Sequence, residues 1–580
     1  MAFLSVKDGF ILVTESYPVR ELCMLSGCSW DANVKAWKMA FTLETFERLI
    51  TNIPDIRISE DVFPMLEKQK EKETKLIQLR DLKEVTFKIK GLKREPYPYQ
   101  KVGILYSMLN GTGVLIGDEM GLGKTLQAIG IAVGMKSKGL IKNCLVVTPA
   151  SLKWNWPKEI ESSSDERYVV IDNKDPEKRL SQWLDEDCFF KIVNYELAVE
   201  DLFGVDRKSR QPVGTSLTEE QKKKKIMKLL RKKKLDELKR RGFDLMVLDE
   251  CHGIKNFKSS RSKLIREIRA KMKIGLSGTP MDGKPQELYT IMNILAPGIL
   301  DSPTAFHNEY VIKDIYGAVK GYKNIDQLRN KIAPFFIRRK KIDVLDQLPE
   351  KIHEDKFISL TDAELKIYKQ IKEGTHPCVI DDDKNVAEPA VIAIRCLQFC
   401  NFPQMIDPDC RASTKIDIFK ELVEELVQLN GQKIIVFMQY KQILDVIDQV
   451  LRDMNVNFLR IDGDTDKKVR VEYQAVFNND PKIDCIIGTD AMSTGLNLTG
   501  GDTVINYMQA WTPSTMLQRE DRSHRIGRKG NVTVVNLMAR DTIEERIRNV
   551  LYSKNKITDE TLDGTNVFTS LTKKQIQELL

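Results

Sequence analysis

Short apolar runs recur along the chain at the spacing of buried strands, and helix-like segments separate them. From about residue 91 to residue 300 the runs are VLIG, NCLVVTPA, FKIVNY, FDLMVLDE and KIGLSGTP. Apolar runs that alternate with helices are typical of parallel strands, because helices cover both faces of such a sheet. The pattern therefore predicts an α/β lobe over residues 91–300.

A second series of the same kind begins after residue 415, with KIIVFMQY, VNFLRIDGDT, DCIIGTD, DTVINYM and VTVVNLMA. It predicts a second α/β lobe over residues 415–560, since a chain of 580 residues is too long for one core. We expect a helical protrusion and connector over residues 301–414, a small α+β module over residues 1–75, and a tail over residues 561–580. The expected fold class is α/β, with two parallel-sheet lobes and helical insertions.

A glycine-rich turn, DEMGLGKT from Asp118 to Thr125, follows the first strand-like run. Gly121 and Gly123 allow a tight turn in which backbone N–H groups surround phosphate oxygens at the N-terminus of the next helix. We expect Lys124 to reach the terminal phosphates and the Thr125 hydroxyl to bind Mg²⁺. Asp118 stands where the usual phosphate-loop pattern has its first glycine.

Two polar pairs follow later runs of the first lobe. Asp249 and Glu250 end the run LMVLDE. We expect Asp249 to hold Mg²⁺, and Glu250 to orient or deprotonate the attacking water. Ser277 and Thr279 in LSGTPM are expected to relay the state of the γ-phosphate. Alone, the first pair is compatible with a solvated loop and the second with an ordinary turn, but a preceding phosphate loop favours catalysis.

In the second lobe, the sequence QREDRSHRIGR contains Gln518, Arg522 and Arg525. Arginine suits the stabilisation of a phosphoryl group in transfer, because its guanidinium is planar, always charged and able to bind bidentately. Two arginines from a different lobe would make hydrolysis depend on lobe closure. The alternative is a solvated basic helix, and this interpretation extends to Arg519 and Arg528.

The charge distribution indicates one further feature. The net charge of +8 is modest, but twelve of the 21 residues from Gln221 to Arg241 are Lys or Arg. Such a block favours a polyanion as partner, with a solvated surface helix as the alternative. We expect Ile226, Leu229, Leu230 and Leu238 to share the apolar face of this helix and to leave most lysines free.

The ten cysteines are scattered and include no CxxC pair, so we expect neither disulfides nor a metal cluster. No apolar run approaches the length of a membrane span, and the start of the chain does not resemble a signal peptide. We therefore expect a soluble intracellular protein, in the cytoplasm of a prokaryote or of a virus-infected host cell, or in a eukaryotic nucleus.

Seven motifs occur in order along the chain: PYPYQKVGI (96–104), GDEMGLGKTLQAI (117–129), TPASLKWNWPKEI (148–160), VNYE (193–196), DECHGIKN (249–256), LSGTP (276–280) and WTPSTMLQREDRSHRIG (511–527). Over roughly residues 90–555 the chain resembles the Swi/Snf-type helicase-like ATPases of helicase superfamily two, especially their annealing-helicase (HARP or HepA-related) branch. Residues 29–50 look like the module that precedes the motor in that branch. Trp30 and Trp37 there are equally compatible with core positions.

The resemblance implies two RecA-like lobes that use ATP and Mg²⁺. It implies nucleotide contacts at Tyr99, Gln100, Asp118, Glu119, Met120, Gly121, Leu122, Gly123, Lys124, Thr125 and Gln518. It implies a DNA track along Thr148, Pro149, Ser151, Lys153 and Asn194 in the first lobe, and along Thr489 and Ser493 in the second. Ala510 and Thr512 in AWTP, and Phe402, depart from the residues usual in the family.

The expected function is an ATP-dependent motor that hydrolyses ATP while it tracks on double-stranded or branched DNA, and so remodels or reanneals it. Two alternatives stay open, a strand-separating DNA or RNA helicase and a nucleic-acid sensor that binds ATP without productive movement. DECH followed by GIKN, together with LKWNW, favours the first function. The intact Lys124, the two carboxylates and the two arginines weigh against a sensor.

Overall fold

The computed structural model describes residues 2–31, 34–203, 219–344, 350–380, 386–493, 495–525, 528 and 530–563. The chain forms two compact units. The first comprises residues 1–311 and 323–344, and the second comprises residues 312–322 and the residues from 345 onward.

The N-terminal module of the first unit is a five-stranded sheet packed against two helices. The elements are β1 (Phe3–Lys7), β2 (Phe10–Thr14), α1 (Arg20–Leu25), β3 (Ser29–Asp31), β4 (Ala36–Ala40), α2 (Leu43–Asn52) and β5 (Arg57–Ile58). The sheet order is β3-β4-β2-β1-β5. Asp8 and Gly9 have φ values of 52° and 76°, as the two-residue turn between β1 and β2 requires. Trp37 packs against the core of the module, while Trp30 is half exposed.

Helix α3 (Val62–Arg80) leads from the module to the first α/β lobe. The strands of the lobe up to residue 300 are β6 (Gly113–Ile116), β7 (Cys144–Thr148), β8 (Tyr168–Val170), β9 (Phe190–Asn194), β10 (Phe243–Asp249) and β11 (Ala270–Leu276). The helices over the same range are α4 (Pro98–Asn110), α5 (Lys124–Ser137), α6 (Asn155–Ser163), α7 (Pro176–Leu184), α8 (Tyr195–Ala198), α9 (Glu219–Arg241), α10 (Ser260–Glu267) and α11 (Pro285–Leu295).

A short segment after residue 300 returns to the same sheet. Its elements are α12 (Pro303–Tyr310), β12 (Val311–Lys313), β13 (Val319–Tyr322), α13 (Ile325–Ile332), β14 (Phe336–Ile337) and α14 (Lys341–Val344). Strands β12 and β13 pair with each other, and β14 pairs with β6. The sheet order is β14-β6-β11-β10-β7-β9-β8, and its neighbouring strands run parallel.

This strand order determines where the motifs of the first lobe meet. Strands β6, β11 and β10 are consecutive neighbours in the sheet, although the chain reaches them in the order β6, β10, β11. The glycine-rich turn, the segment LSGTPM and the pair Asp249 and Glu250 each follow the carboxyl end of one of these strands. Carboxyl ends of parallel strands lie at one edge of a sheet, so the three motifs converge there.

The second unit contains a six-stranded sheet in the order β15-β20-β19-β16-β18-β17, and its strands also run parallel. The strands are β15 (Lys351–Ile358), β16 (Ile434–Phe437), β17 (Phe458–Ile461), β18 (Cys485–Gly488), β19 (Thr503–Asn506) and β20 (Val532–Ala539). The helices are α15 (Asp362–Lys372), α16 (Pro389–Asn401), α17 (Thr414–Val423), α18 (Lys441–Asp453), α19 (Lys467–Asn479), α20 (Pro513–Glu520) and α21 (Ile543–Asp563).

The α/β class with two parallel-sheet lobes, an N-terminal α+β module and helical insertions is confirmed. One expectation about the basic helix α9 is wrong, since Leu229 and Leu230 are exposed and the buried leucines are Leu235 and Leu238. The side chain of Ile226 and the run Lys222–Lys225 lie outside the described side chains.

In the described part of the chain, no helix combines the length and apolarity that a membrane crossing needs. Nor do the described residues bring three or more His, Cys, Asp or Glu side chains together in a way that could hold a metal ion. All ten cysteines are free thiols.

Candidate nucleotide site and nucleic-acid surfaces

The glycine-rich turn connects β6 to α5 and has the backbone geometry of a phosphate-binding loop. Gly121 and Gly123 have φ values of 87° and 71°, which only glycine adopts without strain. Helix α5 begins at Lys124, so its first N–H groups point into the turn. The Lys124 ammonium donates hydrogen bonds to the carbonyl oxygens of Asp118 at 2.7 Å and Glu119 at 3.2 Å. The Lys124 side chain thus folds back over the glycine-rich turn and contacts its first two residues.

Asp118 is fully buried and pairs with a residue far along the chain. Arg339, just after β14, donates from Nε to Asp118 Oδ1 at 2.9 Å and also contacts Oδ2 through Nη2. Gln127 Nε2 donates to Asp118 Oδ2 at 2.8 Å, and Arg339 Nη2 donates to Gln127 Oε1 at 2.9 Å. A further bond joins Arg339 Nη1 to the carbonyl oxygen of Tyr99. One guanidinium therefore connects the first turn of α4, the glycine-rich turn and α5.

Tyr99 and Gln100 pack on the back of the turn. The Tyr99 hydroxyl and Gln100 Nε2 both donate to the carbonyl oxygen of Leu122, at 3.1 Å and 2.9 Å. Gln100 Oε1 accepts from the backbone N–H of Tyr97 at 2.9 Å. A Cβ atom at Gly123 would lie 2.3 Å from Gln100 Nε2, so the close approach of the two requires glycine. Both predicted residues thus contact the turn directly.

Asp249 ends β10 and is buried beside that turn. Its Oδ2 accepts from Thr148 Oγ1 and from Trp156 Nε1, each at 2.9 Å. Burial, and secondly the charge of Glu250, raise the pKa of Asp249 to about 6, while the two hydrogen bonds and Lys124 act in the opposite direction. A carboxylate kept in so unfavourable an environment is typical of a site built for a cation or for catalysis.

Glu250 has a strained backbone, with φ of 46° in the left-handed region. Such conformations in non-glycine residues cluster at functional sites. Its Oε2 lies 3.2 Å from His252 Nδ1, and His252 Nδ1 lies 3.4 Å from Ser277 Oγ. Burial lowers the pKa of His252, but the hydrogen bond and charge of Glu250 outweigh it and the net shift is upward. A polar chain thus runs from Glu250 to Ser277.

The segment after β11 closes this edge. The backbone N–H of Thr279 donates to Ser277 Oγ at 3.2 Å. A Cβ atom at Gly278 would lie 3.3 Å from Lys124 Nζ and 2.7 Å from Met120 Cγ, so this turn lies directly against the glycine-rich turn. Ser277 is therefore linked through His252 to Glu250, and the next residue, Gly278, lies against Lys124.

The arrangement fits a nucleoside triphosphate with Mg²⁺. Mg²⁺ prefers hard oxygen ligands, which the Asp249 carboxylate and the Thr125 hydroxyl in the first turn of α5 supply. The two positive-φ glycines and the start of α5 provide backbone N–H groups for phosphate oxygens. Lys124 supplies the cationic side chain.

Three of the predicted DNA-track residues of the first lobe have polar partners within that lobe. Thr148 Oγ1 donates to Asp249, Lys153 Nζ lies 3.5 Å from Asp172 Oδ2, and Asn194 Nδ2 donates to Glu196 Oε2 at 2.9 Å. Thr148 is thus shared between the predicted track and the carboxylate site. Pro149 and Ser151 lie in the turn between β7 and α6.

In the second unit, Ser493 Oγ donates to the carbonyl oxygen of Asp490 at 2.7 Å, and Thr489 Oγ1 accepts from the N–H of Ala491 at 3.4 Å. Gln518 lies on α20, and its carbonyl oxygen accepts from Arg522 Nε at 2.9 Å.

The arginines of the second unit differ in environment. Arg522 also donates from Nη1 to the carbonyl oxygen of Leu496 at 3.0 Å, and Arg525 Nε donates to the carbonyl oxygen of Asp521 at 2.8 Å. Arg519 is completely buried and donates to Asp490, with Nε to Oδ1 at 2.7 Å. The interpretation of Arg519 as a solvated residue is therefore wrong, because this side chain fixes α20 to the sheet.

Comparison with known proteins identifies the family. Residues 65–405 match the SNF2-related domain, and residues 414–527 match the helicase conserved C-terminal domain. The chain belongs to the SNF2-related family.

Three relatives illustrate the range of this similarity. The chain is 28% identical over 504 residues to the putative ATP-dependent helicase/translocase YwqA of Bacillus subtilis. The aligned region covers 83% of this chain and 50% of that protein. It is 27% identical over 496 residues to the DNA annealing helicase and endonuclease ZRANB3 of Bos taurus, with 83% and 42% covered. A solved SWI2/SNF2 ATPase core of Sulfolobus solfataricus in complex with dsDNA is 26% identical, with 82% of this chain and 94% of that chain covered and a TM-score of 0.38. The chain spans half or less of the length of these curated relatives.

Three residues of this SNF2-related chain were not singled out from the sequence alone. Arg339 pairs with Asp118, Trp156 donates to Asp249, and His252 bridges Glu250 and Ser277. In the sequence, Trp156 of LKWNW and His252 of DECH could be seen only as members of their motifs. The pair RR in FFIRRKK offered no signal about its partner, which lies 221 residues away.

Proposed function

We propose that the chain is a motor that hydrolyses ATP while it tracks on double-stranded DNA, and that it remodels or reanneals that DNA. The observation that carries the proposal is the convergence of the glycine-rich turn, the Asp249–Glu250 pair and the LSGTP segment at one sheet edge in a chain of the SNF2-related family. Relatives that are described as a helicase/translocase and an annealing helicase support the same class of activity.

The positions of the site residues support the following roles. Lys124 holds two backbone carbonyls of the turn and can exchange those hydrogen bonds for phosphate oxygens. Bound Mg²⁺ would neutralise charge on the β- and γ-phosphates. Asp249 and Thr125 are the residues that would hold it. Glu250 orients the attacking water, and its link through His252 to Ser277 carries the state of that site toward the DNA track.

Arg522 and Arg525 of the second unit are proposed to stabilise the phosphoryl group in transfer. Both guanidinium groups donate hydrogen bonds to backbone carbonyl oxygens of their own unit, and these bonds can be exchanged for bonds to phosphate oxygens. Dependence on arginines from a second lobe would couple hydrolysis to lobe closure. The proposed DNA contacts are Thr148, Pro149, Ser151, Lys153 and Asn194, together with Thr489 and Ser493.

The test is the steady-state ATPase rate of the full chain, measured side by side with duplex DNA, single-stranded DNA, forked DNA and RNA. We expect duplex or forked DNA to stimulate hydrolysis most, and we expect the Lys124→Ala variant to remove the stimulated rate. Stimulation by RNA with none by duplex DNA would favour an RNA helicase. Tight ATP binding without stimulation by any nucleic acid would favour a sensor.

A further inference from the structure

A β-hairpin formed by β12 and β13 projects a preorganised tip. In the tip, Asp314 Oδ1 accepts from the backbone N–H groups of Tyr316 at 3.0 Å and Ala318 at 2.8 Å. Two backbone bonds cross the same turn, from Asp314 N–H to the carbonyl oxygen of Ala318 at 2.8 Å and from Gly317 N–H to that of Asp314 at 3.0 Å. Gly317 has a φ of 82°, which the turn requires. These bonds fix the direction in which the tip side chains leave the hairpin.

The two residues at the tip are large, apolar and almost fully exposed. Ile315 is 91% exposed and Tyr316 is 89% exposed, whereas the next most exposed large apolar side chain among the described residues is Leu429 at 75%. Single exposed apolar residues are ordinary on protein surfaces. Two adjacent ones at the top of this range, on a turn held by four hydrogen bonds, indicate a surface that contacts a partner.

The charge around the tip indicates what that partner is. Lys313 and Lys320 of the hairpin are exposed, and neither of them forms an ion pair with any residue in the described ranges. The one acidic residue of the hairpin, Asp314, uses a carboxylate oxygen to hold the turn. An aromatic ring and an aliphatic side chain flanked by lysines suit a stacked base and its phosphates better than they suit a protein surface.

We propose that this tip is a wedge that stacks against the exposed base pair at a DNA branch or end, and that it unstacks that pair while the lysines contact the flanking phosphates. The inference rests on the proposed action on DNA and extends it, since tracking along an intact duplex does not require base contacts. Tyr316 supplies the stacking surface and Ile315 the adjacent apolar contact. No bond is made or broken, and the wedge acts only by binding.

The test uses forked DNA that carries 2-aminopurine at the junction base pair, without ATP, so that it does not depend on hydrolysis. Fluorescence of the 2-aminopurine reports unstacking, and a titration gives the fork affinity. We expect the double variant Ile315→Ser/Tyr316→Ser to lose the fluorescence rise and to weaken fork binding roughly 5- to 150-fold, the range that one base–aromatic stack corresponds to. Tyr316→Phe keeps the ring and should behave like the wild type.

A matched control is Leu429→Ser/Tyr552→Ser, which removes two exposed apolar side chains, 75% and 70% exposed, elsewhere in the chain. It should leave both signals unchanged. Unchanged fork affinity and fluorescence in the Ile315→Ser/Tyr316→Ser variant would overturn the wedge and would point to a protein partner instead. The wedge would also be overturned if the same variant lost affinity equally for an intact duplex that has no branch and whose ends are capped. Absence of DNA-stimulated ATPase in the wild type would refute the proposed motor but would leave the fork signals readable.

Discussion

Replacement of Arg339 by Met is expected to destabilise the first unit and to weaken nucleotide binding. The guanidinium reaches both carboxylate oxygens of the fully buried Asp118, and it also bonds to Gln127 and to the carbonyl oxygen of Tyr99. Methionine keeps most of the side-chain volume but removes the charge and every donor. The variant therefore leaves a carboxylate buried without its counter-charge.

The size of the effect follows from that burial. Removal of one partner from a buried ion pair costs about 3–5 kcal/mol, because the remaining charge stays desolvated. For a large unit each kcal/mol lowers the melting temperature by about 2 °C, which gives a decrease of about 6–10 °C. Differential scanning calorimetry of the full chain measures it. The KM for ATP should rise in the same variant, since one guanidinium no longer joins the first turn of α4, the glycine-rich turn and α5.

Arg179→Met is the matched control within the same unit. Arg179 donates from Nε and Nη2 to both oxygens of the buried Asp201, at 2.7–3.0 Å, and this pair is not part of the nucleotide site. We expect Arg179→Met to lower the melting temperature to a similar extent and to leave the KM for ATP unchanged. An increase in KM in both variants would mean that instability alone loosens the site, and the specific role of Arg339 would be refuted.

The double variant Arg339→Met/Asp118→Leu tests the pairing itself. Because both charges are then absent, its loss of stability should be smaller than the sum of the two single losses by about 2 kcal/mol. Some loss should remain, since the buried amide of Gln127 also loses its partners. Additive losses would contradict an interaction between the two side chains.

Three further outcomes are expected. Lys124→Ala and Glu250→Gln should nearly abolish turnover, and Glu250→Gln should still bind ATP because the phosphate ligands remain; steady-state rates and equilibrium nucleotide binding check this. Arg522→Ala or Arg525→Ala should lower the DNA-stimulated rate by on the order of a thousandfold with little change in nucleotide affinity, and weaker binding at an unchanged maximal rate would contradict the role. Replacement of Lys222–Lys225 by Gln should reduce the slope of log affinity against log salt by roughly 0.9 for each DNA phosphate that is no longer neutralised, while basal ATPase stays intact, and an unchanged slope would leave α9 a solvated helix.

The sheets and the convergence of the motifs could be predicted from the sequence for a physical reason. Buried parallel strands must be apolar along their whole length, so β6, β7, β9, β10 and β11 are visible as runs. The strands that the apolar pattern does not reveal lie at the sheet edges, where one side is less covered. Strand β15, with the sequence KIHEDKFI, is largely polar and has only one buried residue, and β14 has only two residues.

Side-chain pairing over long separations could not be predicted, because a single sequence does not indicate which polar group meets which. The indole N–H of Trp156 and the carboxylate of Asp249 are 93 residues apart. Helical periodicity likewise could not distinguish Arg519 of α20 from the arginines that follow this helix. Its burial depends on Asp490 and on the strand end at Asn506, which tertiary packing brings to it.

The residue at position 118 shows how such a pairing changes the interpretation of a motif. From the sequence alone, Asp118 is visible only as a departure from the first glycine of the usual phosphate-loop pattern. In the folded chain its carboxylate points into the protein and accepts hydrogen bonds from Arg339 and Gln127, while its carbonyl oxygen faces Lys124. The side chain at this position is therefore held by Arg339, which follows β14, and by Gln127 of α5. A glycine there would leave Arg339 buried without its carboxylate, so the departure and the arginine belong to one structural feature.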